Sequence, residues 1–559
     1  MSTPEQRALS RSGVRWPAAR LAQPLTGRSR GRLSTAGWVV VVSTCIALGL
    51  RLYQLARPGH LLGVTSYDDG VYVGAAIRLV DGVPPYRDFV LVQPPGVVLI
   101  MAPAAALGKL TGTAWAMALG RLLTACAGAA SVPLTGLLVR HRGLLAVVIG
   151  CGIMAVYPDA ILAAETVLQE PWLVLACLAG LLAVFDGDRL TTSRKRLAWG
   201  GLALGFACAI KLWAIFPVAV IAVMCAPRLG RALSYLGGVV AGFLVPVLPF
   251  FAIAPSSFFR GVVLAQLVRV DATRVPLVTR LADLSGIVAS QSTVVAVPAV
   301  LAVLAAVLIV ALVAGSHLGA WWLTPRPLRR APFLSPLDGF VLATAVIIIA
   351  AFLWPVDFFY HYAGFFAPFL ALAVALPVAR LVQVATPVLK QRRPRLPFGT
   401  AVRWALGIAF GAMFAAAVVT ETAAPVSDNP AAAADRAIPP GACVLTDQVS
   451  FTILANRFTS SVPGCSQVVD GFGADLDLSN GHNGANGAAR TPAVRAMWDN
   501  AFRHAQYVWL SSNPARTSGP GDTAGRRIAW TPALRSYFAR NFREVSSNPL
   551  IYKRADLSS

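Results

Sequence analysis

Charged residues are scarce in this sequence, and acidic residues are the scarcest of them. Of its 559 residues, 13% are charged and 56% are hydrophobic, with 25 aspartates and glutamates against 48 lysines and arginines. A soluble domain usually carries about a quarter charged residues, so the composition excludes an ordinary globular enzyme. It indicates a protein that crosses a membrane several times.

The sequence also lacks aromatic residues interleaved with its basic clusters, and it lacks internal repeats. The first absence argues against a nucleic-acid-binding protein and the second against a transporter built from two similar halves. The net charge of +23 would suit a nucleic-acid-binding protein, but the basic residues stand in short clusters between apolar runs, without interleaved aromatic residues for base stacking. We therefore expect no nucleic acid partner. No convincing internal repeat is present, which counts against a transporter built from two similar halves.

The basic clusters determine the predicted topology, because cytoplasmic loops of membrane proteins are enriched in Lys and Arg. Between two such clusters the chain must cross an even number of times, so the apolar runs predict eleven helical crossings with the amino terminus inside. The run from Gly96 to Leu107 is shorter than the about 20 residues of a span and is predicted as a re-entrant or surface helix. The predicted crossings are residues 37–55, 115–139, 143–157, 171–185, two short helices within 199–225 that meet near Lys211, 232–253, 292–314, 338–354, 363–384 and 404–420.

Composition divides the chain into three parts. Residues 1–35 form a basic cytoplasmic segment, residues 36–420 an all-α polytopic membrane domain, and residues 421–559 a small extracytoplasmic domain rich in Gly, Pro and Asn. In the last part, apolar runs at 443–445 and 507–510 predict strands, and the patterns at 492–503 and 532–542 predict helices, which together indicate an α/β domain. The expected location is the plasma (inner) membrane, with the first span retained as an anchor.

The cysteines agree with this division. Six of the eight lie in or beside apolar spans, where a thiol behaves as a small hydrophobe. Cys443 and Cys465 fall in the polar C-terminal part, where an oxidising compartment favours a disulfide, and a free buried pair is the alternative. That part has no zinc-ligand spacing, phosphate loop or nucleophile elbow, so only its position suggests carbohydrate or acceptor binding.

The first external loop, residues 56–113, concentrates carboxylates. Asp68 or Asp69 can cap a helix that runs to Val80 and would lie flat on the membrane. A carboxylate held at the boundary of lipid and water can accept a proton from an acceptor hydroxyl. The alternative is that the two aspartates merely cap a surface helix.

The order of motifs in this loop carries a family resemblance. Asp68-Asp69-Gly-Val-Tyr72 is followed by Pro-Tyr-Arg-Asp-Phe and then by Gln-Pro-Pro-Gly, all directly after the first span. The loop resembles that of the GT-C type polyprenyl-phosphate-sugar glycosyltransferases, the superfamily of lipid A aminoarabinose transferase and the protein O-mannosyltransferases. Gln93 departs from the His, Lys or Glu that commonly precedes the two prolines in that superfamily.

The resemblance implies roles for particular residues. Asp68 is the expected catalytic base, and Asp69 stands beside it as a second catalytic-site carboxylate in a polar or metal-binding role, so a divalent metal ion is the one cofactor that the resemblance allows. Tyr72 matches the tyrosine of the family motif. Tyr72 is assigned to substrate binding, together with Arg87 and Asp88 of the following motif.

Further positions are expected on the same side of the membrane. Glu170 precedes Pro171 at a helix start, where an ionisable group is costly unless it is used or paired, although a solvated loop charge is the alternative. Lys211 interrupts an apolar run, and its ammonium either reaches the interface by snorkelling or pairs with the donor phosphate, as the lysine of similar enzymes suggests. His361 and Tyr362 either belong to an interfacial aromatic belt or line the donor pocket, as similar enzymes imply.

The sequence therefore predicts a membrane glycosyltransferase of the cell envelope, a hexosyl- or pentosyltransferase. It would move a sugar, with inversion, from a polyprenyl phosphate donor to a hydroxyl of an envelope glycan, lipid or protein, with membrane lipids as the other partners. The alternatives are a lipid or glycan flippase or transporter and an inactive membrane scaffold. A flippase should place charged residues within its spans, whereas the notable carboxylates here gather in outer loops.

Overall fold

A computed structural model describes most of the chain. The described residues are 34–269, 275–286, 299–324, 332–354, 358–392, 398–423, 429–482, 487–513 and 527–557. The basic segment predicted for residues 1–35 lies almost wholly outside them. One of the basic clusters that determine the predicted topology, that of Arg326, Arg329 and Arg330, lies wholly outside them. We refer to residues 34–423 as the membrane region and to residues 429–557 as the C-terminal unit.

The membrane region is helical nearly throughout. A helix overlaps every predicted crossing, and two helices take the stretch predicted as a short helical pair. The short strands β1 (Phe185–Asp186) and β2 (Arg189–Leu190) pair as a hairpin. The helices are α1 (Thr35–Ala56), α2 (Asp68–Val80), α3 (Gly96–Thr111), α4 (Thr113–Val139), α5 (Leu144–Val156), α6 (Pro158–Leu162), α7 (Glu170–Val184), α8 (Arg194–Ile210), α9 (Ile215–Cys225), α10 (Leu229–Ile253), α11 (Pro255–Phe259), α12 (Ala265–Leu267), α13 (Leu277–Ser285), α14 (Ala299–Leu323), α15 (Pro336–Leu353), α16 (Tyr360–Arg392) and α17 (Phe398–Ala423).

Seven helices of the described part are long and apolar enough to cross a membrane. They are α1, α4, α10, α14, α15, α16 and α17, while α3, α5, α7 and the segment that contains α9 are shorter apolar helices. The protein is therefore a multi-pass membrane protein. The number of crossings and the side on which each end lies stay predictions.

Small residues bring α8 and α10 into close contact. A Cβ added at Gly205 would lie 2.1 Å from the carbonyl oxygen of Val239, and one added at Gly242 would lie 2.1 Å from that of Leu202. Helices in lipid associate through such packing of small residues, because lipid chains provide no hydrophobic drive between helices. The contact fixes the end of α8, from which Lys211 projects.

The C-terminal unit is a small α/β structure. Its sheet has the order β3-β4-β6-β5, in which β3 and β4 are parallel and the other pairs are antiparallel. Trp498, Phe502 and Trp509 are fully buried in it, and Cys443 and Cys465 form a disulfide. Its elements are α18 (Ala431–Ala437), β3 (Val444–Thr446), α19 (Val449–Leu454), α20 (Gly471–Leu478), α21 (Pro492–His504), β4 (Tyr507–Leu510), α22 (Pro532–Asn541), β5 (Phe542–Ser547) and β6 (Leu550–Arg554).

The helix α2 lies between other helices of the membrane region and the C-terminal unit. Every residue from Asp69 to Ile77 is buried, and α2 packs against α3 and α4 on one side and α19 on the other. The prediction of a helix that runs to Val80 is confirmed, and its position flat on the membrane stays a prediction. The C-terminal unit covers one face of this helix through α19.

Candidate active site

Asp68 is the first residue of α2, at the junction of the two parts of the molecule. Neither Asp68 nor Asp69 caps the helix, because the N-cap residue is Tyr67 and no side chain makes a capping hydrogen bond there. The Asp68 side chain is 37% exposed, and its Oδ2 lies 4.0 Å from Nε2 of His361. Burial raises the pKa of Asp68, while His361 and Lys211 act in the opposite direction. Asp68 is thus a partly accessible carboxylate with increased basicity.

A buried chain of charges begins behind Asp68. The Nδ1 atom of His361 donates a hydrogen bond of 2.8 Å to Oε1 of Glu170, and Nζ of Lys211 donates one of 2.6 Å to the same oxygen. The Glu170 side chain is 2% exposed, so the alternative of a solvated loop charge is wrong. The imidazole of His361 therefore stands between two carboxylates, Asp68 and Glu170.

Aromatic rings enclose the ammonium group of Lys211. Its Nζ lies 3.6 Å from the ring centroid of Trp213 and 5.0 Å from that of Tyr362. Tyr362 in turn packs edge-on against Trp213, at 4.3 Å between centroids. Lys211 is 6% exposed, so its charge does not reach the interface by snorkelling. Such a desolvated ammonium interacts strongly with the π-faces around it and with any anion that reaches it.

Asp69 has different surroundings from its neighbour. It is fully buried, and its Oδ2 accepts a bond of 2.6 Å from Arg121 and further bonds from Thr65 and Thr166, at 3.0 and 2.8 Å. Ser450 of the C-terminal unit lies 2.7 Å from Oδ1. Both carboxylate oxygens of Asp69 therefore contact protein groups, which agrees with the polar role of the two that the resemblance implies. Its assignment as a second catalytic-site carboxylate stays a prediction.

A metal ion beside Asp69 does not fit these surroundings. The guanidinium of Arg121 and three hydroxyl groups already surround the carboxylate. Within the described ranges, no three or more His, Cys, Asp or Glu side chains are grouped as metal ligands. We therefore derive no chemical step through a metal.

The remaining predicted residues are not all brought together. Tyr72 is buried one turn along α2 from Asp68 and lies within electrostatic range of Asp68 and Glu170. Arg87 and Asp88 instead pair with each other at 2.8 Å on the surface, with their side chains 53% and 31% exposed. None of the hydrogen bonds or ion pairs of Arg87 and Asp88 that the structure describes joins them to the Asp68 cluster, and their substrate-binding role stays a prediction.

Sequence reasoning missed Arg121, although a signal for it existed. Arg121 lies within the apolar run of α4, is fully buried, and also donates to the carbonyl oxygens of His60 and Leu61, both at 2.9 Å. An ionisable residue inside a span is costly and calls for a partner. That rule alone would have directed attention to the carboxylates of the preceding loop.

The chain is similar to known glycosyltransferases both in sequence and in structure. The sequence model of the dolichyl-phosphate-mannose-protein mannosyltransferase family matches residues 105–244. The structure of ArnT from Cupriavidus metallidurans bound to undecaprenyl phosphate matches with a TM-score of 0.55 and 16% identity, covering 94% of this chain and 100% of ArnT. The chain has the GT-C fold. The resemblance predicted from the first external loop is thereby confirmed.

A second structure with the GT-C fold matches over a similar length. The archaeal oligosaccharyltransferase AglB from Archaeoglobus fulgidus, in complex with an inhibitory peptide and a dolichol-phosphate, gives a TM-score of 0.51 at 15% identity, over 94% of this chain and 75% of AglB. No curated protein matches the chain by sequence. At these identities the similarity establishes the GT-C fold, and the function has to be argued from the site.

Proposed function

We propose that this protein is a membrane glycosyltransferase that uses a polyprenyl-phosphate sugar as its donor. The observation that carries the proposal is the position of Asp68, a partly exposed carboxylate at the open end of the buried chain of His361, Glu170 and Lys211. Its support comes from the GT-C fold, shared with an ArnT structure that binds undecaprenyl phosphate and an AglB complex that contains a dolichol-phosphate. The acceptor is a hydroxyl of an envelope glycan, lipid or protein.

We assign the two parts of the reaction to the two ends of this chain of charges: proton uptake to Asp68 and the departing phosphate to Lys211. The acceptor oxygen attacks the anomeric carbon of the donor sugar while its proton passes to Asp68. The bond from that carbon to the phosphate oxygen breaks, its electron pair stays on the phosphate, and polyprenyl phosphate leaves. The anomeric configuration inverts. A carboxylate of raised pKa is suited to the first task, since general base catalysis improves as the basicity of the base increases.

Lys211 is the residue that we assign to the departing phosphate. Its ammonium is desolvated and donates one hydrogen bond to an oxygen of Glu170. Because an ammonium has three N–H donors, it can also bind a phosphate oxygen while it keeps this bond. Preformed positive charge at the leaving group lowers the barrier because it binds the developing charge more strongly than the ground state. His361, between Asp68 and Glu170, would couple the two ends.

The proposed orientation puts Asp68 and the C-terminal unit outside the cytoplasm, where a lipid-linked donor supplies the energy without a nucleotide. Single cysteines introduced at exposed positions of residues 66–90 should react with an impermeant thiol reagent added to intact cells. Reaction only after the cells are opened would place the loop in the cytosol and contradict the orientation.

The test of the function is to supply the purified protein in liposomes with polyprenyl-phosphate sugars labelled in the sugar. A transferase moves the label to envelope acceptor material and releases polyprenyl phosphate. A flippase moves the intact labelled lipid between leaflets without cleaving it, and a scaffold does neither. Either of the last two results, across a panel of hexosyl and pentosyl donors and envelope acceptors, would overturn the proposal.

A further inference from the structure

The C-terminal unit contacts the residues around Asp68 directly. The carbonyl oxygen of Ser66 lies 2.8 Å from Nε2 of Gln448 and 2.8 Å from Oγ of Ser450. The Ser450 hydroxyl also lies within hydrogen-bonding distance of Asp69, so its single proton is shared between these two acceptors. The C-terminal unit therefore binds the backbone of Ser66 and the side chain of Asp69, on either side of Asp68.

Tyr67, the residue directly before Asp68, is held more completely. Its hydroxyl donates a bond of 2.9 Å to Oδ1 of Asp470 and accepts one of 3.1 Å from the backbone N–H of Phe472. The guanidinium of Arg527 lies over its ring, 4.5 Å from the centroid. All of these partners belong to the C-terminal unit, so the side chain of Tyr67 is bound by that unit.

Asp470 is itself fixed in place. Its Oδ1 accepts a second bond, of 2.8 Å, from the backbone N–H of Gly473 and so caps α20. Because the start of α20 holds the Asp470 carboxylate in place, that carboxylate determines where the Tyr67 hydroxyl lies. The position of Tyr67 then restricts the backbone of Asp68, its direct neighbour.

Close backbone contact supports the same arrangement. A Cβ added at Gly70 would lie 2.4 Å from the backbone nitrogen of Ser450. Only glycine allows α2 to approach the C-terminal unit this closely. The start of α2 is therefore pressed against that unit at Gly70 and tied to it at Ser66, Tyr67 and Asp69.

We propose that the C-terminal unit is part of the catalytic centre, and that Asp470 is a positioning residue that sets the place of Asp68 through Tyr67. The proposal rests on the transferase function argued above and adds a role for the C-terminal unit. A displacement of about 1 Å at a reacting group can lower a rate by up to about 100-fold. Loss of the Tyr67–Asp470 bond should therefore lower turnover much more than donor binding.

A pH readout separates this role from a merely structural one. Burial raises the pKa of Asp470 to about 6. The charged or titratable groups that interact with it are Tyr67, Asp68, Tyr72, Arg269 and Asp475. Above that pKa, Asp470 is ionised and holds Tyr67 by a charge-assisted bond, which is the stronger kind. Turnover of the wild-type protein should therefore show an inflection near pH 6 and decline below it.

The experiment compares Asp470→Asn and Tyr67→Phe with the wild-type chain in membranes, in the transfer assay. Both variants should lose about tenfold or more in kcat, with KM for the lipid donor changed less than about twofold. The inflection near pH 6 should disappear in Asp470→Asn. The matched control is Asp556→Asn, since Asp556 is an exposed carboxylate of the same unit, beyond its last strand; it should behave as the wild type.

The outcomes separate the two proposals. If Asp68→Asn abolishes transfer while Asp470→Asn and Tyr67→Phe keep wild-type kcat, the positioning role is wrong and the transferase function stands. If KM rises with kcat unchanged, Asp470 binds substrate and the positioning role is equally wrong. If Asp470→Asn does not accumulate, Tyr67→Phe decides, because its ring still fills the site under Arg527. If Asp68→Asn keeps wild-type transfer, Asp68 is not the base and a positioning role exercised through it is wrong as well. If the wild-type chain itself transfers no sugar, the proposed function fails.

Discussion

The rest of the membrane region and the C-terminal unit both contact the start of α2, and they contribute different chemistry. From the membrane region come His361, Glu170 and Lys211, charged groups that are nearly buried. From the C-terminal unit come Ser450 and Asp470, which bind the residues on either side of Asp68. The difference teaches that reactive charge and its positioning come from two parts of the chain that are far apart in the sequence, and that Asp68 lies where these parts meet.

The same division separates the two adjacent aspartates. Asp68 is open to an incoming hydroxyl, whereas Asp69 is fully buried with Arg121. Consecutive residues of a helix point in different directions around its axis, so one of two neighbours can serve the chemistry and the other the structure. The predictions below test this comparison.

Apart from Asp68 itself, the largest effect is expected at Lys211. Lys211→Met keeps the length of the side chain and removes the charge that we assign to the leaving phosphate, so kcat should fall by about 100-fold to 1,000-fold. The transfer assay measures it. Lys109→Met is the matched control, because Lys109 is half exposed and pairs with Asp81. Equal activity of the two variants would remove Lys211 from the mechanism.

A loss of stability is expected at Arg121. Arg121→Met leaves the Asp69 carboxylate buried without its cation, which typically costs about 3–5 kcal/mol. The purified variant should unfold at a clearly lower temperature in detergent, and less of it should accumulate. Arg140→Met, at the exposed end of the same helix region, is the control. Normal stability of Arg121→Met with lost transfer would instead make Asp69 a residue of the chemistry.

The smallest effect is expected at the edge of the contact between the two parts. Asn456 of the C-terminal unit accepts a bond of 3.0 Å from the backbone N–H of Ala114. Asn456→Ala should cost about 1 kcal/mol of docking. Hydrogen exchange at the start of α4 should become faster, while transfer changes less than about threefold. A loss of transfer as large as that of Asp470→Asn would mean that docking as a whole, and not the bond at Tyr67, positions Asp68.

Local sequence was sufficient for the helices and for the half of the site that lies in the membrane region. Apolar runs of spanning length define helices wherever they occur, because lipid leaves no other way to pair the backbone. The loop motif located Asp68 and Tyr72, and the cost of a buried charge located Glu170 and Lys211. The pairing of Glu170 with His361 spans 191 residues, and no local pattern carries it.

The half contributed by the C-terminal unit could not be predicted in this way. Ser450, Asp470 and Arg527 are ordinary polar residues in a polar stretch, and only the fold brings them to Tyr67. The strands β5 and β6 were missed for a related reason, since their alternate residues are partly exposed and no long apolar run marks them. The contact of α2 with α19 was not predicted either, since the two helices lie far apart in the sequence.

The most direct measurement is the transfer rate of Asp68→Asn beside that of Asp81→Asn, at the other end of the same helix. The substitution keeps the shape of the side chain and removes its capacity to take a proton. A general base typically raises the rate by about 100-fold to 10,000-fold. We predict a loss of this size for Asp68→Asn, at normal protein level and stability, and near-normal transfer for Asp81→Asn. Transfer by Asp68→Asn at the wild-type rate would contradict the assignment of Asp68 as the base.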